Sequence, residues 1–231
     1  MKVENYALSG VWRHLKARRS ALRSGAARHW GPDPDHCEKE RRILRCLQEA
    51  ANSPQRTAAL FMDEMGCCRW AAPASEACPE AKRGGASNSQ WRIVGAVNAL
   101  DGRVHYLDAH IAGRRKMIEF HQLLDEAHPN VETLHLIQDN WPVHDHEDVL
   151  ASLAETLRIE VVKLPTCAPR LNPIEKLWRW LRQAVLKTHR LAEDRRQLRQ
   201  RVDQFLDQFQ NGSRELLRYV GLLGEGRLVC P

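Results

Sequence analysis

Three carboxylates, Asp63, Asp139 and Glu175, stand where a chain can hold acids rigidly. Asp63 follows the apolar run Ala58-Ala59-Leu60-Phe61-Met62, and Asp139 follows Leu134 to Gln138. Both runs read as buried strands that end at the acid. Glu175 falls in the first turn of a helix announced by Asn172-Pro173, with Asn172 as the N-cap and Pro173 at the first helical position. An all-oxygen ligand set suits Mg²⁺ or Mn²⁺. Two such ions about 4 Å apart can clamp the attacking and leaving oxygens of a phosphodiester displacement. Taken singly, each acid has an ordinary explanation. Asp63 and Asp139-Asn140 could be strand-end turns, and Glu175 could complement the helix dipole. Glu64 should face the other side of the sheet if the strand continues past Asp63.

The surrounding elements must bring these acids together. Residues 1–30 read as a basic helical lead, and Gly31, Pro32 and Pro34 as a linker. Asp35 is placed to cap a helix over roughly 36–51. Strand 58–62 follows, then a loop over 71–90. The strand 91–100 and its partner 104–110 form a hairpin through Asp101-Gly102. Helical spacing covers 114–127, strand 134–138 precedes a helix over 145–157, and a further strand covers 159–164. A Pro-rich loop leads into a long helix, 174–187, and another covers 193–209. This order predicts an α/β fold, a mixed sheet with helices on both faces, and α/β sheets place their chemistry at strand ends.

Two longer motifs carry a resemblance. Asp139-Asn140-Trp141-Pro142-Val143-His144 resembles the Asp-Asn-x-x-x-His signature of transposases. The segment Leu164-Pro165, followed by Pro169-Arg170-Leu171-Asn172-Pro173-Ile174-Glu175-Lys176-Leu177-Trp178, resembles their Leu-Pro…Pro-x-Leu-Asn-Pro-Ile-Glu-x-x-Trp signature. Phe61-Met62-Asp63-Glu64 resembles their first-strand signature. The chain is therefore similar, over about 55–190, to the DDE transposases of the mariner superfamily in its bacterial insertion-sequence branch. Between Asp139 and Glu175 lie 35 residues, close to that group's spacing.

The resemblance implies a ribonuclease H-like fold with a five-stranded mixed sheet, two Mg²⁺ or Mn²⁺ ions, and Asp63, Asp139 and Glu175 as their ligands. It implies metal-dependent cleavage of double-stranded DNA at insertion-sequence ends and strand transfer into a target, by a homodimer. Asn140, His144 and Asn172 become supporting positions, and Trp178 packs its helix on the sheet. Lys176, Arg179, Arg182 and Lys187 become candidates for DNA-backbone contact. The implied division is a helix-turn-helix remnant at 1–30, a linker and helix at 31–55, the catalytic domain at 56–190 and a helical extension at 191–231. The chain departs from the pattern in three places, one of them the loop at 66–90, which carries Cys67, Cys68 and Cys78. Only residues 1–30 stand where two helix-turn-helix units are usual, so a truncated, catalytically silent DNA-binding remnant is the alternative. Thr166-Cys167-Ala168 replaces a Pro-Tyr-Ser type of loop.

Charge and composition agree with a polyanion partner. The net charge is +6, but residues 1–30 carry seven Lys/Arg against one Glu, and 176–201 carry nine against two acids. The stretch between them is acidic. Basic clusters of this density favour nucleic acid, although a charge run alone is more often a solvated face. No apolar run approaches the roughly 18 residues of a membrane span. The N-terminus lacks a signal peptide's apolar core. Seven cysteines at irregular spacing fit neither a disulfide framework nor a zinc module. A soluble cytoplasmic, nucleoid-associated protein is the expectation.

Overall fold

The structure, a computed structural model, describes residues 33–68, 90–109, 112–156, 158–166, 168–186 and 194–223. The expected basic helix over 1–30, most of loop 71–90, and Lys187 lie outside the described residues.

Helix α1 (His36–Asn52) leads into β1 (Thr57–Cys68), β2 (Gln90–Asn98) and β3 (Val104–Ala109). Helix α2 (Arg114–Ala127), β4 (Thr133–Gln138), α3 (Glu147–Thr156) and β5 (Ile159–Lys163) follow. The chain then runs through α4 (Ile174–Leu181), a π-helical turn (Arg182–Leu186), α5 (Arg195–Asp207) and α6 (Arg214–Val220). The five strands form one sheet in the order β3-β2-β1-β4-β5. The two pairings among β1, β2 and β3 are antiparallel, while β4 pairs in parallel with both β1 and β5. This is the mixed α/β architecture of the ribonuclease H-like folds.

Alternation along β1 explains the two covered faces. Ala59, Phe61, Met65 and Cys67 share one core with residues of α1, α4, α5 and α6. Ala58, Leu60 and Met62 share the other with Met117, Phe120 and Leu124 of α2 and with Val149 and Leu153 of α3. Every apolar residue that α4 buries repeats at helical spacing: Ile174, Leu177, Trp178 and Leu181. Leu198, Val202 and Leu206 of α5 and Leu216, Leu217 and Val220 of α6 join the core that holds Trp178.

Several local expectations are corrected. β1 does not stop at Asp63; it runs on to Cys68 because β2 keeps pairing with it after the parallel register with β4 ends at Phe61 and Ile137. Asp35 makes no side-chain cap on α1. The predicted long helix after Pro173 keeps α-helical bonding only to Leu181, then loosens into the π turn. The last segment holds a separate helix, α6, that the apolar spacing did not announce. Its ends were signalled by Ser213, whose Oγ accepts from Leu216 N–H at 3.1 Å, and by Gly221, which closes the helix at φ 86°. The Asp101-Gly102 turn forms as expected, with Gly102 at φ 73°. A side chain there would meet the Ser213 carbonyl at 2.4 Å, so this glycine also lets the hairpin dock on α6. No described helix is long and apolar enough to cross a membrane.

Candidate metal centre

The predicted acids lie within β1, just past β4 and in the first turn of α4. Asp63 stands within β1, directly opposite Gly95 of β2. It projects to the face on which α4 packs, where burial first, then Glu175 and Asp139, push its carboxyl up to about 7. The Glu64 backbone N–H opposes that rise, as does the Trp178 indole N–H, which makes no hydrogen bond of good geometry among the described residues. Trp178 is fully buried. Its ring lies where a Gly95 side chain would be, since a Cβ there would come within 2.6 Å of the indole. The glycine therefore admits the tryptophan, and the tryptophan sets how closely α4 and Glu175 approach Asp63.

Asp139 is the first residue past β4. Its Oδ1 accepts from Trp141 N–H at 3.0 Å and lies 3.4 Å from His144 Nε2. Among the described residues Oδ2 accepts no hydrogen bond, which leaves that oxygen for a ligand. His144, then the Trp141 N–H, hold the Asp139 carboxyl below its usual range against the opposing effect of burial.

Glu64 joins the site from the other side of the sheet. It does face away from Asp63, but that opposite face is where His144 lies buried. Glu64 Oε1 is 3.3 Å from His144 Nε2, and its side chain is 7% exposed. Burial, then Asp63 and Asp139, push this carboxyl up to about 8. Among the described residues, the group whose ligand atoms all lie within 4.8 Å of one another is Glu64, Asp139 and His144. Two consecutive acids after an apolar run, together with a histidine five residues past Asp139, were the available signal.

Both motif asparagines work as cross-links. Asn140 Nδ2 donates to the Leu164 carbonyl at 3.0 Å and to Thr166 Oγ1 at 3.3 Å, joining the ends of β4 and β5. Asn172 does not cap α4 with its side chain. Instead its Nδ2 donates to the Met62 carbonyl at 2.9 Å, one residue before Asp63. The segment entering the Glu175 helix is thus tied to the strand carrying Asp63. Lys176 turns its ammonium to the Val220 carbonyl at 2.9 Å, satisfying the end of α6. Arg179 and Arg182 stay exposed. They follow Glu175 at helical spacing and continue its stripe away from the acids.

This donor set fits Mg²⁺ or Mn²⁺. Glu64 and Asp139 converge with His144, Glu175 lies near Asp63, the Asp63 and Glu64 carboxyls are pushed well above their ordinary values, and among the described residues the buried Glu64 Oε1 accepts no hydrogen bond. A cation there would relieve like-charge repulsion. One consequence is testable. Between their ordinary values (3.8 and 4.5) and about 7 and 8, Asp63 and Glu64 hold more protons in the folded chain than in the unfolded one. Stability from this pair therefore falls as pH rises through that window. Cation binding must displace those protons, so affinity should rise with pH across the same interval. Calorimetric Mn²⁺ titrations at neutral pH, in buffers of different ionisation enthalpy, should register proton release. Buffer-independent heats would contradict the shifted carboxyls.

The sheet order and the covering helices define a ribonuclease H-like core. The sequence pattern of the DDE superfamily endonucleases matches residues 58–199. The chain belongs to that family. The insertion element IS630 uncharacterized 39 kDa protein of Shigella sonnei is 23% identical over 105 residues, covering 46% of this chain and 31% of that protein. The Mos1 transposase paired-end complex with left transposon end shares the fold at a TM-score of 0.53 and 16% identity, over 89% of this chain and 66% of that one. The Mos1 strand transfer complex gives 0.52 and 17%, over 89% and 65%. The chain thus spans about a third of the length of the curated relative and just under two thirds of these solved chains.

Proposed function

We propose that the chain is the catalytic part of an insertion-sequence transposase, cutting double-stranded DNA at element ends and joining the freed 3′ end to target DNA. The observation that supports this reading is that Glu175 and Asp139 both lie near enough to the buried Asp63 to help raise its carboxyl. Asp63, Asp139 and Glu175 would hold two Mg²⁺ or Mn²⁺ ions, with Glu64 beside them. Such ions supply an activated water or 3′-hydroxyl and stabilise the leaving oxygen. The chain's own contribution is placement. Trp178 and Gly95 set the depth of α4, Asn172 fixes its start against β1, and His144 holds Asp139 Oδ1 on one side. No side chain is required as a covalent nucleophile.

Arg179 and Arg182 would receive the DNA backbone, a contact that positions without reading sequence. Lys176, engaged with α6, is the weaker candidate of the set, and Lys187 joins it as a proposal. Replacing Arg179 and Arg182 by Ala should weaken binding to any duplex. Each lost phosphate contact should lower the slope of log affinity against log salt by about 1. An unchanged slope would remove these residues from the interface. The function itself is tested by incubating the chain with Mn²⁺ and supercoiled DNA carrying the element ends. Metal-dependent nicks at those ends, followed by joined products, support it. A folded chain that binds DNA and makes no nick with either metal would leave only a DNA-binding remnant.

A further inference from the structure

Asp33 belongs to no catalytic motif, yet its carboxylate is among the most engaged in the molecule. Its side chain is 3% exposed, while the neighbouring Pro34 and Asp35 are exposed. Oδ2 accepts from the Thr166 backbone N–H at 2.7 Å and from Lys39 Nζ at 2.8 Å. Oδ1 accepts from Asp35 N–H at 3.0 Å. Thr166 is 133 residues away in sequence, in the loop between β5 and the helix that carries Glu175. The Lys39 ammonium, then the Thr166 N–H, hold the Asp33 carboxyl well below the usual carboxylate range.

The contact continues toward the metal centre. Thr166 Oγ1 accepts from Asn140 Nδ2 at 3.3 Å, the same group that donates to Leu164 O at 3.0 Å. Asn140 is covalently next to Asp139. The path from Asp33 to Asp139 is therefore one charge-assisted hydrogen bond, one residue, one further hydrogen bond and one peptide link. The Lys39 ion pair holds the start of that path against α1. A metal ligand must be kept within roughly 0.5 Å of its productive place, and loops manage that only with outer support. The carboxylate supplies an acceptor to a loop N–H and gains strength from the lysine charge.

We propose that Asp33 is a positioning residue for the metal centre, clasping the loop before Glu175 so that Thr166 and Asn140 hold Asp139 in place. This rests on the reading of the acids as metal ligands. It assigns the stretch after the basic N-terminal segment a role in the chemistry as well as in connection.

The test compares the full chain with Asp33→Ala, Asp33→Asn and Thr166→Val. Amide hydrogen exchange at Thr166, Mn²⁺ affinity from water proton relaxation, Mn²⁺-dependent nicking and the melting temperature are read together. Asp33→Ala should speed exchange at Thr166 and weaken Mn²⁺ binding by about tenfold, the size typical of lost outer support to a metal ligand. Asp33→Asn keeps an acceptor for the amide and should recover part of both losses. Thr166→Val should keep the amide protected while still weakening Mn²⁺. The proposal is overturned if Asp33→Ala leaves Mn²⁺ affinity and exchange at Thr166 as they were. It is equally overturned if that variant melts earlier while its metal affinity and nicking per folded molecule stay constant. A wild-type chain that binds no Mn²⁺ at the carboxylates would instead defeat the reading of the function beneath it.

Discussion

Asp139→Asn is expected to lower metal-dependent DNA cleavage by at least about 10³-fold, the upper range seen when one electrostatic group is removed from a preorganised site. The change is nearly isosteric. Its carbonyl can still accept from Trp141 N–H, now at 3.0 Å, and from His144. What disappears is the negative charge and the ligand strength of the oxygen that accepts nothing else. Folding should be almost unaffected, so melting temperature and DNA binding should stay close to wild type while single-turnover nicking collapses. Asp63→Asn makes a sharper companion. Burial and two neighbouring acids push Asp63 up to about 7, so removing its charge should stabilise the metal-free chain above that pH. Activity should be lost at the same time, a stability gain at the expense of function. Cleavage by Asp139→Asn within a few fold of wild type would exclude Asp139 as a metal ligand.

Trp178→Ala should be the most damaging single truncation in the core. Removing a fully buried tryptophan costs about 3–5 kcal/mol through lost transfer energy and the cavity left behind. At roughly 2–4 °C per kcal/mol for a chain of this size, the melting temperature should fall by about 6–20 °C. The contact with Gly95 allows a control that separates packing from simple loss of bulk. Gly95→Ala inserts a methyl group within 2.6 Å of the indole and should cost about 1–3 kcal/mol by overpacking. Combining Gly95→Ala with Trp178→Phe should cost less than the two changes summed, because the smaller ring vacates the space. Such non-additivity is the mark of direct contact. Strict additivity in denaturant unfolding would show that the ring does not bear on the glycine. Gly95→Ala should also lower cleavage by more than its stability loss explains, because Trp178 and Glu175 share one helix.

Much of this architecture is legible in the sequence. The apolar runs at 58–62 and 134–138 have strand length and are bounded by polar residues, so they announced the two central strands and the acids beside them. Asp101-Gly102 announced the hairpin, since a turn that demands positive φ selects glycine. The spacing of Ile174, Leu177, Trp178 and Leu181 announced the face of α4 that packs on the sheet. Boundaries were less legible. The end of β1 depends on where β2 stops pairing with it, and the extent of α4 depends on the π turn that follows.

Strands, helix faces and the family motifs could be read directly from the residues, because periodicity and turn chemistry act over a few residues. What each side chain meets followed from packing between distant segments. Glu64 was predicted to turn from Asp63, but the crossover through α2 is what puts β4 beside β1 and so brings His144 to that face. Asn172 had the form of a helix cap and became instead a tie to Met62, 110 residues earlier. Lys176 resembled a DNA contact and ended on the Val220 carbonyl, while Asp33 stood in a plain linker and reached Thr166. In each case a polar group took the partner offered by a distant segment once packing had removed competing water. That choice depends on sheet order and helix docking, which no local window of residues contains.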